Sequence, residues 1–156
     1  MVVLIKGGYS MLKRFQSFVS GITICYKYIQ RIKSVEMTEF GLKGTHVMCL
    51  FFLWQNPEGL TAAQLSQLCV EDKAAISRTL AVLNEKEYIC SEGKKYRAEI
   101  RLTEKGLEVT RKLEELIEQW VGFGGDGLSE EEREVFYRSL GHISSNLHAR
   151  LDEYDN

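Results

Sequence analysis

The stretch TAAQLSQLCVEDKAAISRTLAVLNE, residues 61–85, contains the pattern that decides the fold. Gln64 follows Thr61 at the spacing of a capping box, which predicts that a short helix begins here. Asp72 is placed to cap a second helix over residues 73–86. The apolar residues that recur at helical spacing in this second segment, and that we expect to be buried, are Ile76, Leu80 and Leu83. Two short helices separated by only three or four residues have the spacing of a helix-turn-helix.

A β-hairpin is predicted directly after the second helix. Residues 88–90 (YIC) have strand propensity, and residues 91–95 form a polar turn pattern. Residues 96–102 (YRAEIRL) then alternate between apolar and charged side chains with the period of a strand. A helix-turn-helix followed by a hairpin is the arrangement of a winged helix.

Two helices are predicted before this region. Apolar residues recur at three- and four-residue steps over 9–35, which is typical of a long amphipathic helix. A polar break at 36–44 follows. The segment 45–55 is almost wholly apolar, so we expect its helix to be buried on most sides.

Two further helices are predicted after the hairpin. Thr103 is placed to cap a helix that we expect to end near residue 121, because four glycines between 122 and 127 should break it. Ser129 and Glu132 form another capping box, which predicts a last helix running to about residue 151.

The composition excludes several classes of protein. A chain of 156 residues with 44% hydrophobic content suffices for one domain with a core and is too short for a second catalytic domain. The longest apolar stretch, residues 47–54, is too short to cross a bilayer. The first five residues are too short for a signal peptide, so we expect a cytoplasmic protein. The cysteines, which are widely spaced and which we expect to be mostly buried free thiols, are Cys25, Cys49, Cys69 and Cys90.

The charge is distributed unevenly along the chain. The net charge of −2 taken alone argues mildly against a nucleic-acid partner. Residues 1–35, however, carry six basic and no acidic residues, whereas residues 126–156 carry eight acidic residues and three arginines. Further basic residues lie at the start of the second helix of the helix-turn-helix and in the hairpin. This distribution favours a DNA-binding face backed by an acidic surface.

The start of the helix over 73–86 is the candidate for DNA contact. A helix that enters the major groove contacts bases with residues of its first turns. Arginine pairs with guanine edges, serine reaches a base or a phosphate, and alanines permit close approach. The candidate residues are Lys73, Ala74, Ala75, Ser77 and Arg78. The alternative interpretation is a solvated helix whose basic residues are merely at the surface.

The hairpin supplies a second basic feature. Between residues 94 and 101 there are four basic residues and one acidic residue, Glu99. The basic residues are Lys94, Lys95, Arg97 and Arg101. Basic residues on a hairpin tip suit phosphates or a minor groove. The alternative is that these charges protect a strand edge.

The sequence resembles the MarR family of bacterial winged-helix repressors over nearly the whole chain after about residue 10. The resemblance is carried by GLTAAQL at 59–65, DKAAISRTL at 72–80 and LTEKG at 102–106, directly after the hairpin. Two features depart from the family. Val70 stands where the family often has a glycine, and the shorter hairpin lacks the usual Asp-x-Arg, so Arg97 is taken as the minor-groove arginine.

The resemblance implies a mainly α fold, a winged helix-turn-helix with a small β-hairpin wing and dimerisation helices at both ends. The expected divisions are an extension at 1–10, a dimerisation helix at 11–42, the winged helix-turn-helix at 43–103 and C-terminal dimerisation helices at 104–156. The implied assembly is a homodimer that reads a pseudo-palindromic double-stranded DNA operator, with recognition helices about one turn, ~10 bp, apart. The wide apolar stripes of both terminal helices agree with such a dimer. The implied function is a repressor.

The resemblance also implies a small-molecule effector, bound between the dimerisation helices and the winged domain. Tyr26, His46 and Trp54 are the candidate pocket residues, although each is equally interpretable as a core or interface residue. A thiol-based redox sensor of the same fold is the first alternative. Its candidate thiols are Cys90, which opens the hairpin, and Cys25.

Enzymatic and metal-dependent functions are not expected. The sequence contains no P-loop, no G-x-G-x-x-G and no G-x-S-x-G, so we expect no catalytic site and no cofactor. His142 and His148 are six residues apart and do not share a helix face, so we expect no metal site. A second alternative is a winged-helix interaction module that does not bind DNA, which the acidic C-terminal segment would suit.

Overall fold

The computed structural model describes residues 10–92 and 98–154. These residues form six α-helices and one two-stranded antiparallel hairpin, so the predicted mainly α fold with a β-hairpin is confirmed. The elements are α1 (Met11–Glu36), α2 (Gly44–Gln55), α3 (Ala62–Cys69), α4 (Lys73–Glu85), β1 (Ile89–Glu92), β2 (Glu99–Leu102), α5 (Glu104–Gly124) and α6 (Glu130–Asp152). A short 3₁₀ turn, Thr38–Phe40, lies between α1 and α2.

The chain divides into two compact units. The first ends at Lys112 and contains α1 to α4, the hairpin and the beginning of α5. The second begins at Leu113 and contains the rest of α5 and all of α6.

Three helices begin at the side-chain caps that the sequence predicts. The Thr61 hydroxyl accepts the Gln64 N–H at 3.3 Å, and the Gln64 side chain accepts the Thr61 N–H at 2.8 Å. Asp72 accepts a backbone N–H at 2.7 Å at the start of α4. Ser129 caps α6 through a further capping box. These bonds satisfy N–H groups that have no partner inside the helix, which is why the starts of α3, α4 and α6 could be predicted.

The core of the first unit is centred on α2, which packs against α1, α3, α4 and β2. The side chains of α2 that are buried are His46, Val47, Cys49, Leu50 and Leu53. Leu65 of α3 and the α4 residues Ile76 and Leu83 complete this core. The expected burial of α2 is thus confirmed for one broad face. Its aromatic residues Phe51 and Trp54 are partly exposed.

The segment 36–44, expected to be a polar break, supplies two core residues. Met37 is completely buried, and Leu42 is buried as well. The prediction is wrong for these two residues because an irregular segment has no periodicity from which burial can be inferred.

The hairpin is attached to the helix-turn-helix by backbone pairing. β1 and β2 are antiparallel, with Glu92 opposite Glu99. Leu60, just before α3, donates its N–H to the Ile100 carbonyl at 3.0 Å and accepts the Ile100 N–H at 2.9 Å. The predicted hairpin is confirmed, and its alternation is visible in buried Ile100 beside exposed Glu99. Its bounds differ from the prediction, since β1 includes residues 91 and 92, which were expected in the turn, and residue 98, expected in the second strand, precedes β2. Its base is fixed to the segment that leads into α3.

Thr103 and Gly106 connect the hairpin to α5. The Thr103 N–H donates to the Tyr88 carbonyl at 3.0 Å, and the Thr103 hydroxyl accepts the Gly106 N–H at 3.1 Å. The same hydroxyl donates to the Glu87 carbonyl at 2.6 Å. Gly106 lies so near Tyr88, the residue before β1, that a Cβ atom at position 106 would be 2.0 Å from the Tyr88 carbonyl oxygen. Only glycine therefore lets α5 approach this closely.

In the second unit, α5 continues to Gly124, beyond its predicted end near residue 121. The prediction is wrong because a helical glycine costs only about 1 kcal/mol relative to alanine and does not by itself end a helix. The chain turns after Gly125, whose carbonyl accepts a guanidinium N–H of Arg133 at 2.8 Å.

The apolar stripes of α1 and α6 are exposed. All residues of both helices are described, and none of them is buried. Exposed apolar residues on α1 include Met11, Leu12, Phe15, Ile22, Tyr26 and Ile29. Those on α6 include Val135, Phe136, Tyr137, Ile143, Leu147 and Leu151. Apolar surface of this extent is typical of an interaction surface.

Replacing Gly106 with alanine tests the close approach of α5 to the Tyr88 carbonyl group. We expect the free energy of unfolding to fall by about 1–3 kcal/mol, because the backbone must move to admit the methyl group. Urea unfolding followed by circular dichroism measures the change. The control is Gly122→Ala, where nothing lies within 4 Å of the added Cβ and a gain of up to about 1 kcal/mol is expected. Equal effects at the two positions would contradict the steric argument.

Candidate nucleic-acid interface

The exposed side of α4 is a single polar face. At 100° per residue, the exposed residues fall within an arc of about 140° of the helix circumference. They are Lys73, Ala74, Ser77, Arg78, Ala81, Asn84 and Glu85. The predicted contact residue Ala75 lies about 60° outside this arc and is partly buried. The face begins at the capped N-terminus of α4, where free N–H groups and the helix dipole favour an anion.

The opposite side of α4 fixes the helix to the core. Ile76 and Leu83 are buried there as predicted. Leu80, the third predicted core residue, is only partly buried, and Thr79 is buried instead. The prediction favoured Leu80 because it is hydrophobic. Thr79, however, lies three residues after Ile76 and four residues before Leu83, which is the spacing of a single helix face.

The polar side chains of the α4 face are available to a partner. Lys73, Ser77 and Arg78 are exposed, and their side chains form no hydrogen bond or ion pair with any residue in 10–92 or 98–154. A lysine and an arginine that have no partner among the described residues can bind an anionic ligand without first breaking an ion pair to any of those residues.

The turn between α3 and α4 is held by two hydrogen bonds and contains a strained residue. The Ser66 hydroxyl donates to the Glu71 carbonyl at 2.6 Å, and the Glu71 N–H donates to the Ser66 carbonyl at 3.1 Å. Between them, Val70 adopts the left-handed conformation with φ of 54°. This conformation is unfavourable for a β-branched residue, whereas glycine adopts it without a steric penalty.

The wing is described only at its base. The predicted contact residues Lys94, Lys95 and Arg97 lie outside the described residues. Arg101, which was counted with the basic residues of the wing, instead has a structural role. Its Nε donates to the Glu58 carbonyl at 2.7 Å, and its guanidinium forms an ion pair with Glu99 at 2.8 Å. Sequence reasoning missed this role because Glu58 is 43 residues away.

The three predicted effector-pocket residues lie in different environments. Tyr26 is exposed on α1, His46 is buried in α2, and Trp54 is partly exposed near the Phe51 ring, with 6.4 Å between ring centroids. The His46 Nδ1 accepts the Lys43 N–H at 3.1 Å and so caps α2. Burial lowers the pKa of His46, and nearby lysines lower it further, which favours the neutral ring.

The four cysteines fall into two groups. Cys25 and Cys90 are exposed, so the expectation of mostly buried thiols is wrong for these two residues. Cys49 of α2 and Cys69 of α3 lie together, with 3.6 Å between their sulfur atoms. Sequence reasoning missed this pair because the two residues are 20 positions apart and lack the spacing of a known motif.

No group of three or more His, Cys, Asp or Glu side chains in 10–92 and 98–154 could hold a metal ion. Within the same ranges, no helix has the length and apolar character needed to cross a membrane.

Solved structures with the same fold are numerous. No protein-family model matches the sequence, and no curated protein matches it. A MarR protein from Peptoclostridium difficile is similar over 96% of this chain and 95% of its own, with a TM-score of 0.79 and 21% identity. A MepR–DNA complex from S. aureus is similar over 88% and 96%, with a TM-score of 0.70 and 20% identity.

A third structure, a MarR-family regulator from Listeria monocytogenes complexed with a 26mer DNA, is similar over 83% of this chain and 87% of its own. Its TM-score is 0.75 and its identity 18%. The described elements thus define the class of protein as a winged helix. More particularly, the fold of this chain is that of the MarR-family transcriptional regulators.

Replacing Val70 with glycine tests the strain in the turn. Val70 is 89% exposed, so its side chain contributes little packing. We expect the variant to be more stable by about 0.5–1 kcal/mol, since glycine adopts positive φ without a steric penalty. Val70→Ala is the matched control and should gain less, because alanine keeps a Cβ atom. Thermal unfolding measures both, and a glycine variant less stable than the alanine variant would contradict the assignment.

Proposed function

We propose that this protein is a transcriptional regulator of the MarR type that binds double-stranded DNA as a homodimer. The observation that carries the proposal is the face of α4, where Lys73, Ser77 and Arg78 are exposed and without partners among the described residues. The fold of two neighbours whose structures contain DNA supports it.

In the proposed complex, α4 lies in the major groove. Arg78 pairs with a guanine edge, and Ser77 contacts a base or a phosphate. Ala74 and Ala75 permit close approach to the groove floor. Lys73 and the free N–H groups at the start of α4 bind a backbone phosphate.

The wing supplies the second proposed contact. Lys94, Lys95 and Arg97 contact phosphates or the adjacent minor groove. Arg101 has a different task, because its bonds to Glu58 and Glu99 hold the base of the hairpin against the segment leading into α3.

Replacing Arg78 with alanine tests the recognition helix. We expect DNA affinity to fall by about 10- to 100-fold, with relaxed discrimination at one base position, because a bidentate base contact is worth about 1–3 kcal/mol. The probe is the duplex that the wild-type protein enriches from a random-sequence pool, and fluorescence anisotropy at fixed salt measures the affinity.

The control for this experiment is Arg111→Ala. Arg111 is also exposed, but it lies on α5 and outside the proposed contact face. Its removal takes away the same charge and should change affinity less than threefold, the effect expected of nonspecific attraction alone. Equal losses for the two variants, or failure of the wild-type protein to enrich any duplex, would contradict the DNA-binding proposal.

A homodimer accounts for the exposed stripes of α1 and α6. These helices have 26 and 23 residues and contain no buried residue, so the described chain leaves both apolar stripes uncovered. A second copy related by a two-fold axis can bury both stripes, and it also presents two copies of α4 to a pseudo-palindromic operator.

Replacing Phe15 with glutamate tests the dimer. We expect the species of twice the 17.9 kDa chain mass to dissociate, because a charge would be buried in the interface. Ser20→Glu introduces the same charge about 140° further around α1, outside the apolar stripe, and should leave the dimer intact. Sedimentation velocity measures both variants. A monomeric wild-type protein, or equal dissociation of both variants, would contradict the proposal.

The remaining parts of the proposal concern regulation. We assign the protein a repressor role in the cytoplasm, without enzymatic activity, and with DNA affinity lowered by a small-molecule effector near Tyr26, His46 and Trp54. Since the His46 Nδ1 accepts the Lys43 N–H, the neutral ring carries its proton on Nε2, which suits an effector that accepts a hydrogen bond. The exposed thiols of Cys25 and Cys90 support redox sensing as a second candidate function.

A further inference from the structure

The pair formed by Cys49 and Cys69 joins two helices at the base of the helix-turn-helix. The two sulfur atoms are 3.6 Å apart, close enough for one thiol to donate a hydrogen bond to the other. Cys49 is completely buried in α2, whereas Cys69, the last residue of α3, is partly exposed. One sulfur is therefore reachable from solvent, and the other is sheltered behind it.

The environment makes the two thiols unequal. The hydrogen bond with Cys49 lowers the pKa of Cys69, and the ammonium of Lys33 lowers it further, against the opposing effects of burial and Glu71. The hydrogen bond with Cys69 and burial raise the pKa of Cys49. Cys49 therefore keeps its proton and donates to Cys69, which is the sulfur with more thiolate character.

We propose that Cys49 and Cys69 form an oxidisable dithiol that a hydroperoxide converts into a disulfide within one chain. The Cys69 thiolate attacks the peroxide, an S–O bond forms as the O–O bond breaks, and the alkoxide leaves and takes a proton from water. Cys69 is then a sulfenic acid. The Cys49 sulfur attacks the Cys69 sulfur, the S–S bond forms, the S–O bond breaks, and water leaves with the Cys49 proton. Two thiols are oxidised, and one hydroperoxide is reduced to an alcohol and water.

Closing the disulfide moves the end of α3. The sulfur atoms must approach from 3.6 Å to about 2 Å, which draws Cys69 towards α2. Cys69 is followed by strained Val70 and then by Asp72, the cap of α4. Because only three residues separate Cys69 from α4, a shift at this point changes the position of the α4 face. This consequence rests on the proposed function, and its expected result is weaker DNA binding.

The chemical test uses the Cys25→Ala/Cys90→Ala double variant, which removes both exposed thiols and leaves only the pair. Treatment with cumene hydroperoxide should lower the chain mass by about 2 Da and remove both free thiols, without a covalent dimer on a non-reducing gel. Tryptic peptides should contain Cys49 linked to Cys69, and dithiothreitol should restore the original mass. A covalent dimer, or a pair that stays reduced at the excess of peroxide that oxidises free cysteine, would overturn the proposal.

Single variants separate the roles of the two thiols. With Cys49→Ala in the same background, Cys69 has no resolving partner and should proceed to the sulfinic acid, with a mass gain of about 32 Da. With Cys69→Ala, Cys49 should stay reduced. The reverse pattern would overturn the assigned roles. Circular dichroism before oxidation identifies a single variant that fails to fold. In that case, the alkylation rates of Cys49 and Cys69 are measured in the double variant instead. Faster labelling of Cys69 supports the assignment, and faster labelling of Cys49 refutes it.

The DNA test is performed on the same double variant. If the reduced protein binds its selected duplex, oxidation should weaken binding at least about fivefold, and reduction should restore it. Absence of DNA binding in the reduced state contradicts the proposed function. In that case, the mass measurement alone decides whether the disulfide forms. Unchanged affinity in a fully oxidised sample contradicts the coupling to α4.

Discussion

The burial of α2 is the constraint on which the first unit depends. This helix is almost wholly apolar over Gly44–Gln55, and its stability requires other elements to cover it. α1, α3, α4 and β2 all pack against it. Leu65, Ile76 and Leu83 are buried in the same core, and the two helices of the helix-turn-helix are therefore held at a fixed distance from it. The orientation of the α4 face is a consequence of this packing.

Two kinds of exposed surface have different physical meanings in this molecule. The stripes of α1 and α6 are apolar, so their exposure is unfavourable in water and a protein surface is the partner that suits them. The N-terminal half of the α4 face carries Lys73 and Arg78 beside the helix N-terminus, and it suits an anionic partner that fits along a helix. The proposed dimer and the proposed DNA complex thus follow from the chemistry of two separate surfaces. The dithiol of Cys49 and Cys69 lies between the helix that forms the core and the turn that leads to α4.

Much of the local structure could be predicted because it depends on neighbouring residues. The caps at Thr61, Asp72 and Ser129 involve partners three residues away, and the hairpin follows from a short alternating pattern. The errors concern long-range contacts or small energies. Met37 lies in a segment without periodicity, and the end of α5 depends on a balance that a single glycine does not decide. The contact residues proposed on α4 were also predicted from local sequence. Once the cap shows where the helix begins, the residues of its first turns are known.

The sequence by itself determined where helices begin, that a hairpin follows the helix-turn-helix, and which face of α4 carries basic residues. Each of these depends on spacing of four residues or fewer, or on alternation within a strand. Only the tertiary structure decided that Arg101 holds the hairpin base, that Gly106 touches the Tyr88 backbone, and that the sulfurs of Cys49 and Cys69 meet. These contacts join residues 18 to 43 positions apart, and they arise from the packing of α2, α3 and the hairpin rather than from any pattern along the chain.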